Sequence, residues 1–232
     1  MEFITVTQSL LEGFGVTCLL FILTLIFSLP LGLLISFLTM SKIKAVRATF
    51  KTIVWIVRGV PLMLQLFIVF FLPGMLSKSG VNPFGQLDNE LYFKYGIDNG
   101  GRFIATLIAF SLNYACYFSE IFRGGIESIP KGQFEAGKVL GMTKSQIFVK
   151  VVLMQVVKHI IPPMSNEIIT LVKDTALARV IGVIEIIKVA DMFAADALIW
   201  PLFYAGVFYL IFVGVLTLLF GYIEKKLSYY KV

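Results

Sequence analysis

The chain has 232 residues, 58% of them hydrophobic, with 22 Phe, a mean hydropathy of +0.90 and a formal net charge of +6. Soluble domains hold about 45–50% apolar residues, so an ordinary water-soluble domain is excluded. The positive balance reads as loop charge that sets membrane topology, and no nucleic-acid partner is expected.

Residues 13–41 and 197–223 carry no charge at all. Each run exceeds the roughly 20 residues needed to cross about 30 Å of hydrocarbon. The first is too long for a cleaved signal peptide and no basic residue precedes it. Lipid forbids unpaired backbone, so an all-α integral membrane protein is expected, one transmembrane domain over 1–232.

In chain order, spans are predicted over 14–40, 52–72, 103–122, 163–184 and 201–223. The fourth is the least regular. Residues 147–187 are apolar but interrupted by Lys158, His159, Pro162, Pro163, Glu167, Lys173 and Asp174. Pro-Pro removes helical hydrogen bonds, which predicts an interfacial helix to about Ile161 and a membrane helix from about Pro163.

Loop charges orient the bundle. Residues 41–51 carry Lys42, Lys44, Arg47 and Lys51 and no acid. Residues 123–150 carry Arg123, Lys131, Lys138, Lys144 and Lys150 against Glu127 and Glu135, and the tail carries Lys225, Lys226 and Lys231 against Glu224. These three segments are expected in the cytoplasm. The loop 73–102 balances three basic with three acidic residues, and 185–196 has three acids and only Lys188. These two are expected outside, which places the N-terminus outside and the C-terminus inside. Turn signals in "SGVNPFGQLDNE" and "GIDNGG" leave 73–102 as a connector, a small ordered cap or a docking surface.

Cys18 and Cys116 fall in apolar runs and read as reduced packing residues. His159 stands alone and no metal spacing exists. No internal repeat is visible, so any two-fold symmetry must come from a second subunit.

Ionisable and polar groups inside spans are candidates for function. Arg58 and Gln65 are seven residues apart in the second predicted span. Asn113, Tyr117 and Glu120 fall at i, i+4, i+7 in the third. Glu167, Thr170 and Asp174 fall at i, i+3, i+7 in the fourth. Each set shares one helix face, and in lipid the three stripes must face one another or a cavity. Arg58 and Glu120 read as a snorkelling or structural ion pair. Gln65 and Asn113 fit interhelical bonding or a site equally well. The two acids Glu167 and Asp174 call for a cation, either Lys173 or a bound ammonium group.

Between the third and fourth spans the chain reads "FEAGKVLGMTKSQIFVKVVLMQ". This resembles the "EAA" motif of bacterial ABC-importer permeases: Glu135-Ala136-Gly137, three residues, Gly141, nine residues, then Val151-Val152-Leu153-Met154. Gly137 stands for the second Ala of the pattern and Met154 for its Pro. "RGVPLMLQLF", "EIFRGGIESIPKGQFEAGKVLGM" and "PPMSNEIITLVKDTALARVIGV" resemble the polar amino acid uptake branch, which handles histidine, arginine, lysine, glutamate and glutamine.

The resemblance implies the type I ABC importer permease fold in a bacterial cytoplasmic membrane. It implies a coupling helix over about 129–143, with Glu135, Ala136, Gly137 and Gly141 docking in a groove of an ATPase. Expected partners are two ATPase subunits, a second copy or close relative of the permease, an external amino acid binding protein and membrane lipid. ATP and Mg would be bound by the ATPase, since no Walker A sequence occurs here and no cofactor is expected in this chain. The chain is then a transport component and not itself an enzyme. The expected substrate site is Gln65, Asn113, Asn166, Glu167, Thr170 and Asp174, with Asn and Thr serving carboxylate and ammonium groups. The charge of Glu167 favours a basic amino acid (arginine, lysine or histidine). Alternatives are glutamine, glutamate or cystine, a channel or secondary transporter, or a structural partner subunit.

Overall fold

The computed structural model describes residues 3–77, 80–95 and 98–227. Lys78 of the external loop and Lys231 of the tail lie outside the described residues. Among the described residues ten α-helices are, in order, α1 Phe3–Thr39, α2 Lys44–Gly59, α3 Leu62–Leu76, α4 Pro83–Tyr95, α5 Gly100–Glu127, α6 Lys131–Val139, α7 Lys144–Ile147, α8 Leu153–Asp174, α9 Ile186–Ala195 and α10 Trp200–Leu227. A π-helical turn, Phe148–Val152, joins α7 to α8, and a 3-10 segment, Thr175–Ile181, follows α8. No strand occurs among the described residues.

Four of these runs are long and apolar enough to cross a membrane: α1, α5, Lys144–Ile181 and α10. A fifth exists if α2 and α3 are taken together, but they meet at 104°. The continuous helix expected over 52–72 is therefore corrected to two helices joined by an elbow at Val60-Pro61. Pro61 disfavours helix in the residue before it, and Val60 is extended at φ −98, ψ 131. The break expected at Pro162-Pro163 is also corrected, because α8 runs through both prolines. Neighbouring helices allow such prolines in membrane segments, and the Ser165 hydroxyl donates to the Pro162 carbonyl at 2.8 Å. The first helix begins earlier than the expected residue 14 because Val6 and Leu10 are buried against Ile186, Ala190 and Ala205.

Small residues hold the core together. Thr17, Thr24, Ser28, Gly32, Ser36 and Thr39 are buried along α1, Ala105, Ala109, Ala115 and Ser119 are buried along α5, and Gly32 lies against Ala115 and Ser119. Lipid gives no hydrophobic drive for helices to associate, so close backbone approach at small residues does that work. Leu20, Phe21, Leu66, Phe70, Phe110, Phe118, Leu171 and Val172 pack around this crossing and bring α3 and α8 onto α5.

The described residues of the loop 73–102 are built around α4. Asn82 donates to the Phe70 carbonyl at 2.8 Å. Asp88 accepts from the Arg102 backbone at 3.0 Å and pairs with its guanidinium at 3.2 Å. Gly101 lies against the Phe84 carbonyl, where a side chain would collide.

The Glu185-Ile186 turn ties α9 to α10 and to α1. Its carboxylate accepts from the backbone N–H of Ile187 at 2.9 Å and of Lys188 at 2.7 Å, capping α9. The Tyr209 hydroxyl from α10 donates to it at 3.4 Å, and Ile186 N–H donates to Thr17 of α1 at 3.4 Å. Glu185 is fully buried, and burial pushes its carboxyl up to about 7, against the opposing pull of its two backbone donors, Arg179 and Tyr209. An unfolded Glu titrates near about 4.3, so between these values the native state binds more protons and stability falls as pH rises. The thermal midpoint of the solubilised protein should drop more steeply between pH 5 and 7.5 in the wild type than in Glu185→Gln. Parallel slopes in the two proteins would remove Glu185 as the titrating group.

Candidate functional site

The elbow between α2 and α3, the middle of α5 and the end of α8 enclose a polar cleft of about 570 Å³. Arg58, Asn113, Tyr114, Tyr117, Glu167, Thr170 and Asp174 line it. A second cavity of about 360 Å³ adjoins it, shares Arg58, Tyr117 and Glu167, and extends along α5 past Glu120 to Ser128.

Four of the six expected site residues line the cleft: Asn113, Glu167, Thr170 and Asp174. The other two do not. Gln65 lies behind the elbow, where its amide nitrogen donates to the Val57 carbonyl at 2.7 Å and the Val60 carbonyl at 2.8 Å. Its amide oxygen accepts from Asn113 at 3.2 Å. Broken helices leave carbonyls without partners, and Gln65 satisfies two of them while tying the elbow to α5. The seven-residue spacing from Arg58 to Gln65 would define one face only on an unbroken helix. Asn166 is exposed and not among the cleft residues; its carbonyl accepts from the Thr170 hydroxyl at 2.9 Å.

Asp174, the last residue of α8, accepts from the Tyr114 hydroxyl at 2.7 Å. Tyr114 is almost fully buried in the core, so the carboxylate is held in place from behind. Glu167 is half-buried two turns earlier on the same face.

Arg58 was legible only as an ion-pair residue, yet it is the one cationic wall of the cleft. Its guanidinium lies 5.0 Å from the centre of the Tyr117 ring and 3.7 Å from the Glu120 carboxylate. The cleft lining thus carries one cation, Arg58, and two acids, Glu167 and Asp174. A guanidinium and two carboxylates in one cleft offer an anion site and a cation site.

A larger cavity of about 670 Å³ lies between α1, α9 and the start of α5. Its walls are mostly apolar (Val16, Leu19, Phe103, Val183, Met192 and Phe193), and no cation lines it. Three acids, Glu12, Asp98 and Asp196, also line it with Ser9 and Asn99, so it does not pair a cation with acids as the polar cleft does.

The second candidate surface is α6. It begins after Pro130, not at residue 129, and carries Glu135, Ala136 and Gly137. Met142 N–H bonds the Gly137 carbonyl at 3.0 Å and Gly141 N–H bonds that of Lys138 at 2.9 Å. Gly141 is left-handed at φ +72, completing a helix-ending Schellman motif. Thr143 then caps α7 in a box with Gln146. Gly137 is the buried residue of α6, and a Cβ there would lie 2.6 Å from the Ile147 side chain. The glycine that replaces the second alanine of the motif therefore lets α6 fold back on α7. Val139 and Leu140 are left 87% and 78% exposed, an apolar edge suited to a protein partner.

The sequence matches the family of binding-protein-dependent transport system inner membrane components over residues 9–229. It is 36% identical over 221 residues to the L-cystine transport system permease protein TcyB of Bacillus subtilis, covering 94% of this chain and 86% of the relative. It is 35% identical over 229 residues to the arginine transport system permease protein ArtQ of Bacillus subtilis, covering 94% and 92%. Among solved structures, an amino acid ABC transporter crystallised with histidines aligns at a TM-score of 0.77 and 26% identity, covering 97% of this chain and 99% of that one.

Proposed function

Since the chain belongs to the binding-protein-dependent transport system inner membrane component family, as an amino acid ABC importer permease, we propose that it carries a basic L-amino acid inward by alternating access. In this reading the cleft is the way-station. Arg58 takes the α-carboxylate, and Glu167 and Asp174 take the α-ammonium and the cationic side chain. Thr170 and Asn113 fill in neutral hydrogen bonds.

Charge balance carries the reading. Arg58 with ionised Glu167 and Asp174 leaves the cleft at −1, and arginine, lysine or protonated histidine brings +1. Unpaired charge away from water is costly, so such a ligand neutralises the site and a neutral amino acid does not. Similarity to the cystine permease TcyB favours a second reading, in which a disulfide-linked pair of zwitterions uses the same Arg58 and acids.

The chain would sit in a bacterial cytoplasmic membrane with its N-terminus outside and α6 inside. Two ATPase subunits would dock on the α6 surface, supply ATP and Mg, and drive the cycle. A second permease subunit would complete the pore, and an external binding protein would deliver the amino acid. Uptake that continued without the ATPases would overturn this arrangement.

The test is equilibrium binding of radiolabelled arginine, lysine, histidine, glutamine and cystine to the purified complex, wild type beside Glu167→Gln. Selective binding of the basic three, weakened by about tenfold or more in the variant, is expected from the loss of one charge-assisted bond. Preference for cystine would select the second reading. Equal affinity of wild type and variant for arginine would sink the charge argument.

A further inference from the structure

α5 carries Glu120, Arg123 and Glu127 at i, i+3, i+7, in one row along its final turns. Arg123 Nε donates to Glu120 at 3.1 Å, and a second guanidinium nitrogen makes the other prong of the fork. Arg123 Nη1 donates to Glu127 at 2.8 Å. Arg58 reaches the same Glu120 only at 3.7 Å, too long for a hydrogen bond. The row therefore begins at the cleft wall with its loosest contact, and its two hydrogen-bonded pairs follow toward the end of α5. Glu127 ends α5, and α6 starts four residues later at Lys131.

Between Arg123 and Glu127 lie Gly124 and Gly125. Glycine is the weakest helix former after proline, and paired small residues are where helices bend. Gly125 sits against the Ile160 side chain of α8, where a Cβ would collide, whereas Gly124 faces open space. The Arg123–Glu127 bridge spans this pair and splints the helix across its softest point.

We propose that Arg123 is a positioning residue that reports occupancy of the cleft to α6. It rests on the cleft reading above. A ligand carboxylate on Arg58 draws that guanidinium from Glu120. Glu120 then takes a larger share of Arg123, and the bridge to Glu127 weakens. Without its splint α5 bends at Gly124-Gly125, and the segment 128–130 carries that bend to α6. The two states are bridged and straight, or unbridged and bent, and a bound amino acid biases one of them.

The experiment uses the complete reconstituted complex. Binding of the same five amino acids is measured first. ATP hydrolysis is then measured without and with external binding protein loaded with the amino acid that wild type binds. Arg123→Met should leave affinity within about twofold and raise basal hydrolysis, because the bridge is absent even without ligand. The ratio of stimulated to basal hydrolysis should fall by about fivefold or more, the scale of a typical coupling. Arg123→Lys, which keeps the charge without the fork, should recover part of it. Gly124→Ala, which meets no neighbour, should lower the ratio by stiffening the bend, and it decides the matter if Arg123→Met does not assemble. Wild-type ratios in Arg123→Met and Gly124→Ala would overturn the relay while leaving the cleft reading intact. A wild type that binds none of the five would overturn both.

Discussion

Asp174→Asn is expected to weaken arginine binding by about 30-fold or more, as truncation of one partner of a desolvated charge pair typically costs about 2 kcal/mol upward. The substitution is nearly isosteric, and the asparagine oxygen still accepts from Tyr114, whose hydroxyl lies 2.7 Å from the native carboxylate. Packing at the end of α8 is thus retained and only the charge is lost. Tyr114→Phe makes the converse change. It keeps the charge and removes the hydrogen bond that fixes it, and a neutral bond of this kind is worth about 1 kcal/mol. A loss of only a few-fold in affinity is expected there. Equilibrium binding of radiolabelled arginine checks both, with a thermal melt to show that each variant is folded. If Asp174→Asn binds arginine as the wild type does, Asp174 has no part in the cation site.

Gly32→Val is expected to prevent stable folding. A Cβ at Gly32 would lie 2.9 Å from the Ala115 carbonyl oxygen and 2.9 Å from the Phe118 Cβ. One of these neighbours is backbone and the other is fixed to backbone, so neither can swing aside. A branched side chain must separate α1 from α5 at the crossing on which the core is built. Overpacking usually costs about 1–3 kcal/mol, and this site lies at the upper end because no side-chain rotation relieves it. Gly15→Val on the same helix is the control, since no atom approaches within 4 Å of its Cβ position. Size-exclusion profiles and thermal midpoints in detergent should show Gly32→Val aggregated or strongly destabilised and Gly15→Val close to wild type. Similar behaviour of the two would contradict the close crossing.

The spacing arguments succeed or fail with the continuity of the helix they assume. Glu167, Thr170 and Asp174 lie on α8, which is unbroken from Leu153 to Asp174, and their i, i+3, i+7 spacing does place them on one wall. Arg58 and Gln65 straddle the elbow, so the same arithmetic put Gln65 in the wrong place. The signal was present in Gly59-Val60-Pro61 but was outweighed by apolar composition on both sides. Pro162-Pro163 misled in the opposite direction. Hydrogen bonding from side chains and packing from neighbours, invisible in a local window, carry the helix through. The role of Arg58 was hidden because an arginine near a span end snorkels as readily as it lines a cavity. The Glu135-Ala136-Gly137 and Gly141 signature of α6 was legible because it lies in one short local stretch, and the left-handed Gly141 that ends the helix falls within it.

The widened turn at Phe148–Val152 has a consequence for inheritance. A π-helical turn holds about one residue more than an α-turn, so it is the natural place for a one-residue deletion to be absorbed. Such a loss would draw the chain into a regular helix while leaving α7 close to its present phase relative to the Glu167–Asp174 wall, because the wide turn already completes its circle with the extra residue included. A residue lost from the regular part of α8 would instead turn the two by about 100°. Lineages can therefore differ by one residue at this turn and keep the α6–α7 surface and the cleft in step.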